Sequence, residues 1–207
     1  MLNGSIIMNW IDIKTRAKKV SKEKLWDIWK PILLLSLISF GLTMFLEPIL
    51  PSKPEQLVGS IVTLIMCPMS VWFMSYMLKL VRNEEYSIGD ITKYYNEFIL
   101  IFGVTIATCV ITGIGFMLLF IPGIILGLGF SLCFYFIAEE KKMTIQECLK
   151  TSWDKVNGHK MDYFLFSLSF IGWALLCIFI IPIIFVVPYI VCANTMYINE
   201  LLKEDTK

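Results

Sequence analysis

The sequence predicts an all-α integral membrane protein with six transmembrane helices in three hairpins, both termini cytoplasmic, and amphipathic cytoplasmic helices besides. Three observations predict it. The 207 residues are 57% hydrophobic and only 17% charged, with a mean hydropathy of +0.72, whereas soluble domains run at roughly 45–50% and about 25%. A water-soluble fold of this size has nowhere to hide so much apolar surface. Four stretches, Pro31–Leu46, Gln56–Leu78, Phe98–Ala138 and Tyr163–Asn199, carry no charged residue. Finally, the basic residues segregate to one side of the arrangement those stretches dictate. The same composition excludes a disordered chain, and a net charge of +1 gives no case for a nucleic-acid binder.

A helix needs about 20 residues to cross a hydrocarbon core of about 30 Å. The first two stretches fit one span each. The third would be about 60 Å long as a single helix and the fourth about 55 Å, so each must turn back on itself. Ile121-Pro122-Gly123 and Ile181-Pro182 mark the expected turns, because proline lacks a backbone donor and glycine tolerates a left-handed turn. The spans then fall at about 31–50, 57–80, 98–119, 122–138, 163–180 and 182–200 within a membrane domain of residues 31–202. Residues 1–30 form a cytoplasmic amphipathic segment and 203–207 a cytoplasmic tail. Pro48, Pro68 and Pro188 are further expected turn or kink points. With six spans and a cytoplasmic N-terminus, every lysine and arginine except Lys53 lies inside, as the positive-inside rule requires. A signal peptide is not expected, since mostly polar residues precede the first span.

In the N-terminal segment Trp10, Ile13, Ala17 and Val20 recur at helical spacing among seven basic residues. That pattern suits a helix lying on an anionic cytoplasmic leaflet. Ser87-Ile88-Gly89-Asp90 and Thr144-Ile145-Gln146-Glu147 each have the form of a capping box. The second opens a helix that Asn157-Gly158 can end, with Ile145, Cys148, Leu149, Ser152, Trp153 and Val156 on one face.

This region carries a family resemblance. Leu149…Ser152…Gly158-His159-Lys160, then Leu168-Ser169-Phe170-Ile171-Gly172-Trp173 and Pro188-Tyr189 resemble the bacterial integral membrane family catalogued as domain of unknown function 975. Ile11…Lys14…Arg16-Ala17, Leu78…Leu80…Arg82…Glu84 and Ile121-Pro122-Gly123-Ile124-Ile125 followed by Tyr135…Ala138 extend it over roughly Ile11 to Leu202. The resemblance implies a six-helix protein of the bacterial cytoplasmic membrane, and it implies no established activity or catalytic residues.

Groups that could carry chemistry are sparse. His159 is the only histidine, and beside Lys160 and Asp162 it reads as a membrane-edge junction rather than a base or ligand. The six cysteines form no CxxC pair and read as small core residues, with neither disulfide nor metal site. Glu47, just before Pro48, is a candidate functional carboxylate or an interfacial one. Asn194 is a candidate interhelical hydrogen-bonding group. Gly113, Gly115, Gly123, Gly127, Gly129 and Gly172 are candidate close-packing positions, Gly123 and Gly127 forming a GxxxG. With no convergent catalytic set, no cofactor and no metal are expected, and an enzyme acting through His159 or Glu47 is the least favoured reading. The expected function is non-enzymatic, as a scaffold, assembly partner or accessory factor, with the lipid bilayer and a protein partner or second copy as partners. The alternative is a small transporter or channel subunit for an apolar or amphipathic cargo, suggested by the matching Phe120–Ile125 and Phe179–Ile184 segments.

Overall fold

Apolar length, proline position and cap chemistry set the helices. The computed structural model describes residues 10–49, 55–118, 120–139, 143–156, 159–176 and 180–203, and among these there is no strand. Helix α1 (Trp10–Glu23) leads into α2 (Leu25–Ile49), and α3 (Glu55–Arg82) follows. A 3-10 helix (Ile88–Glu97) precedes α4 (Phe98–Leu118). The chain continues through α5 (Phe120–Ala138), α6 (Ile145–Val156), α7 (Lys160–Leu168), α8 (Ile171–Leu176) and α9 (Ile180–Lys203). Among the described residues four helical stretches are long and apolar enough to cross a membrane: Leu25–Ile49, Leu57–Arg82, Ile88–Met117 and Pro182–Lys203. The ends expected at Leu50 and at Asn157-Gly158, and tail residues 204–207, lie outside the described residues.

Both long apolar stretches are divided, but not at the prolines. α5 begins at Phe120 and α9 at Ile180, so Pro122 and Pro182 each occupy the third position of a helix. The reason is that a first-turn N–H has no intrahelical acceptor, so proline costs nothing there. Pro48 lies in the last turn of α2, and Pro68 and Pro188 are buried inside α3 and α9. Around Pro68, side chains serve the carbonyls: Ser70 Oγ donates to Cys67 O at 2.6 Å and the Tyr95 hydroxyl to Ile65 O at 2.9 Å.

The caps behave chemically as their residues suggest. Thr144 N–H donates to Glu147 Oε2 at 2.8 Å and Glu147 N–H to Thr144 Oγ1 at 3.4 Å, closing the box that opens α6. The Thr144 backbone bond, then its hydroxyl, holds the Glu147 carboxyl below the usual range. At the other site Ser87 Oγ accepts from Gly89 N–H at 3.1 Å, but Asp90 turns away to Lys79 at 3.6 Å and the segment winds as a 3-10 helix. α3 ends on Asn83 at φ 57°, with Glu84 N–H reaching Lys79 O at 2.9 Å, the Schellman arrangement that a left-handed residue permits.

The N-terminal segment is helical, but its apolar face covers protein. α1 packs along α9 with Ile13, Ala17 and Ser21 buried, and Trp10 meets Phe166 edge-on. The backbone ladder continues past Lys24 into α2, since Lys24 N–H bonds Val20 O at 2.9 Å and Ile28 N–H bonds Lys24 O at 3.1 Å. A helix continuous with α2 can lay its apolar face on α9 at little entropic cost.

Glycine packing is also narrower than the sequence implies. α4 and α5 form an antiparallel hairpin in which a Cβ on Gly123 would lie 2.5 Å from Phe116 Cγ and 2.8 Å from its backbone nitrogen. A Cβ on Gly115 would lie 3.1 Å from Gly123 Cα. At Gly127 it would meet Thr112 at an ordinary 3.4 Å, and Gly129 instead faces the Trp153 ring of α6 at 3.5 Å. At Gly113 and Gly172, both exposed, it would meet nothing within 4 Å among the described residues. These two face open space among the described residues. One close approach went unread: a Cβ at Gly103 would collide with Ile145 of α6.

Burial is lopsided. The core clusters where the ends of α3, α5 and α9 meet α1, α6 and α7, while α2 keeps Leu37, Phe40 and Phe45 on the surface. None of the apolar stretch of α2 is buried, against 56% of that of α9.

Gly123→Leu is expected to destabilise the chain by about 1–3 kcal/mol, because the Phe116 backbone cannot yield. Gly127→Ala is expected to be neutral or slightly stabilising, as helix propensity favours alanine where space exists. Thermal unfolding of the two variants in detergent checks the contrast.

Candidate functional site

Two polar features interrupt the apolar interior, one above the other between the same helices. The upper one is a charge clasp. Arg82 closes α3, Glu139 follows α5, and Asn199 is buried in the last turns of α9. Arg82 Nε donates to Asn199 Oδ1 at 2.6 Å, and its guanidinium pairs with Glu139. Both charged side chains are largely withdrawn, at 23% and 14% exposure, which makes the pair stronger than a surface one. Around it, Lys24 Nζ donates to Asn83 Oδ1 at 2.8 Å, the Tyr94 hydroxyl to Ala138 O at 3.2 Å, and Lys155 Nζ to Leu201 O at 3.5 Å. The last two bonds satisfy carbonyls at helix ends, where intrahelical partners run out.

Below the clasp lies a half-open cavity of about 380 Å³ between α3, α5, α7 and α9, a volume within the range of small-molecule sites. Its apolar walls come from Phe73, Met77, Phe166 and Phe170, and its polar lining from Tyr135, Tyr163, Ser167, Asn194 and Thr195. The Tyr163 hydroxyl donates to Asn194 Oδ1 at 2.9 Å, which leaves the amide nitrogen of Asn194 as a donor. Thr195 Oγ1 is spent on Val191 O at 2.9 Å. Among the described residues no lysine, arginine, aspartate or glutamate lines the cavity, so its chemistry suits an uncharged molecule with an apolar body and a hydrogen-bonding head.

One wall of the cavity is a broken helix. α7 stops at Leu168 and α8 starts at Ile171. The Ser169 N–H is shared between Leu165 O at 3.0 Å and Phe166 O at 3.2 Å. Lys14 of α1 reaches this break, donating to Ser169 Oγ at 2.7 Å, with its ammonium 5.2 Å from the centre of the Phe170 ring. A cation at a helix C-terminus and over an aromatic face is doubly favoured.

The residues singled out from sequence are dispersed. Asn194 does bond between α7 and α9, and it also lines the cavity. His159 sits just before α7, its Nδ1 4.0 Å from Asp162. Lys160 lies over the Trp153 ring, 3.0 Å from its centre. Glu47 is exposed in the last turn of α2. These four do not converge. Among the described residues no group of three or more metal-ligating side chains occurs, and the described cysteines are free. Cys133 and Cys148 each donate to the other's carbonyl at 3.4 Å, and Ser152 Oγ donates to Gly129 O at 2.6 Å, which seats α6 on α5. Cys177 lies outside the described residues.

Sequence reasoning missed Arg82, Glu139 and Asn199 as a unit. The available signal was positional, since Arg82 and Glu139 sit where apolar runs end. The family model described as Protein of unknown function (DUF975) matches residues 90–205. That span holds the cavity walls of α5, α7 and α9, while α1, α2 and α3 precede it. No curated protein and no solved structure matches the chain.

Arg82→Met is expected to cost about 3 kcal/mol, the low end for breaking a buried pair because both partners keep some exposure. The double variant Arg82→Met/Glu139→Gln is expected to recover about 1–3 kcal/mol relative to the summed single changes. A double-mutant cycle from unfolding in detergent measures it.

Proposed function

The chain belongs to the DUF975 family, and we propose that it is a non-enzymatic, six-span protein of the bacterial cytoplasmic membrane that works as a scaffold, assembly partner or accessory factor. The spans are α2, α3, α4, α5, α7 with α8, and α9, with both termini cytoplasmic. Support for this topology comes from the meeting of the α3, α5 and α9 C-terminal ends at one charged pole, together with the bias of basic residues to that side.

The observation that carries the assembly reading is the surface of α2. Leu33, Leu37, Phe40 and Met44 are exposed at spacings of four, three and four, the register of a helix–helix seam. Gly41, on the same stripe, has nothing within 4 Å of the position of a Cβ. Lipid gives apolar side chains no reason to associate, so helix partners in a bilayer rely on small residues that permit close approach. α2 combines such a residue with a regular seam that no described residue of the chain covers.

A photo-crosslinking phenylalanine analogue at Leu37, activated in native membranes, is expected to give one protein adduct of fixed size, and Gly41→Leu is expected to abolish it. The same analogue at Ile99, exposed on α4, serves as the comparison. Lipid adducts alone at both positions would reject the assembly reading.

The cavity favours a second reading, carriage of an uncharged amphipathic cargo. Its mixed lining and the broken helix beside it are what such a role uses. Liposomes carrying the purified protein are expected to pass a neutral dye-labelled amphipath, and Ser167→Phe, which fills the cavity, is expected to slow it several-fold. Equal rates with and without protein would remove this reading.

A further inference from the structure

We infer that the groove between α1 and α9 binds one anionic phospholipid, its phosphate held by Lys18 and Lys22 and part of an acyl chain lying on the apolar floor. The inference rests on the reading of the chain as a membrane protein. The groove has a volume of about 130 Å³, with Lys18, Lys22 and Leu25 on one side and Trp173, Phe185 and Val186 on the other. Trp173 and Phe185 are exposed, so the floor opens outward to where lipid chains would lie. Beside it, Trp29 Nε1 donates to Ile184 O at 3.0 Å, which pins the start of α2 to α9 and fixes the width of the groove.

Charge selects the occupant. Five basic side chains of the N-terminal segment are already engaged. Lys14 bonds Ser169, Arg16 pairs with Asp12 at 2.9 Å and Glu200 at 3.3 Å, and Lys19 meets Glu23 at 3.9 Å. Lys24 bonds Asn83, and Lys30 pairs with Asp27 at 2.8 Å. Lys18 and Lys22 have no such partner among the described residues, and they are the two that line the groove. One helical turn apart on the same face, two ammonium groups repel each other, and an anion between them removes that repulsion. A free phosphate would satisfy the lysines and leave the aromatic floor bare. A phospholipid with a net negative headgroup satisfies both. Near a membrane surface each lysine of the pair would add a definite increment of affinity for an anionic headgroup.

The test is native mass spectrometry of the full chain, extracted gently from vesicles containing phosphatidylcholine and phosphatidylglycerol. The expected result is one phosphatidylglycerol retained per chain in preference to phosphatidylcholine. Lys18→Gln/Lys22→Gln is expected to lower that preference roughly thirtyfold, the factor for two lysines at the membrane surface. Lys19→Gln, on a residue engaged with Glu23, is expected to leave it unchanged. Added inorganic phosphate is expected not to displace the lipid. No preference in the wild type, an unaltered double variant, or displacement by phosphate each overturns the inference. Alkaline carbonate treatment separates the two levels of failure. A chain that stays in the membrane pellet but shows no preference loses the lipid site and keeps its membrane reading, whereas release from the pellet overturns both.

Discussion

The Arg82 guanidinium, gripping Glu139 and Asn199, is the interaction on which the rest of the architecture depends. In an apolar solvent the hydrophobic effect does not hold helices together, so polar contacts and tight steric fit must do so. A guanidinium presents several donors in one plane and can hold partners from two helices at once. Here it binds the ends of α3, α5 and α9 at one pole. Fixing that pole brings α1 against α9 and gives α6 a seat on α5.

From that clasp follows the lopsided distribution of burial. Near it, nearly every helix contributes a fully buried side chain, including Trp72, Phe136, Phe166 and Tyr197. Away from it the helices diverge, and Ile106, Val110, Ile114 and Phe116 of α4 are exposed. The tight Gly115–Gly123 approach is the exception, confined to one hairpin near its turn. The cavity lies beside the clasp, where packed side chains from α3, α5, α7 and α9 shape a site.

Much of this was legible in the sequence, and what was not has identifiable causes. The helical, apolar character of the chain and the division of each long apolar stretch follow from composition and length. The exact turn positions do not, because a proline just inside a helix start and one in the preceding turn leave the same sequence trace. The Thr144–Glu147 box was readable since all its atoms lie within four residues, whereas Asp90 found a better partner in Lys79. Glycine spacing announced close packing, but the face each glycine presents depends on the rotation of its helix, which the neighbours decide. That is why Gly123 is tight and Gly113 is open. The amphipathic pattern of α1 shows that one face is covered without showing by what, and Ile13, Ala17 and Ser21 are in fact covered by protein. Arg82, Glu139 and Asn199 are far apart in the chain and become a unit only through topology.

Lys14 shows how the two ends of the chain depend on each other. Its ammonium sits at the α7–α8 break, against Ser169 and Phe170, and Phe170 also lines the cavity. α1 is continuous with α2, whose apolar length is the least buried of the four candidate spans among the described residues. The bonds of Lys24 to Leu80 and Asn83 anchor that junction to α3, and Trp29 Nε1 ties the start of α2 to Ile184 O of α9. The clasp and these ties thus hold the helices around the cavity, while the remainder of α2 presents an exposed apolar surface.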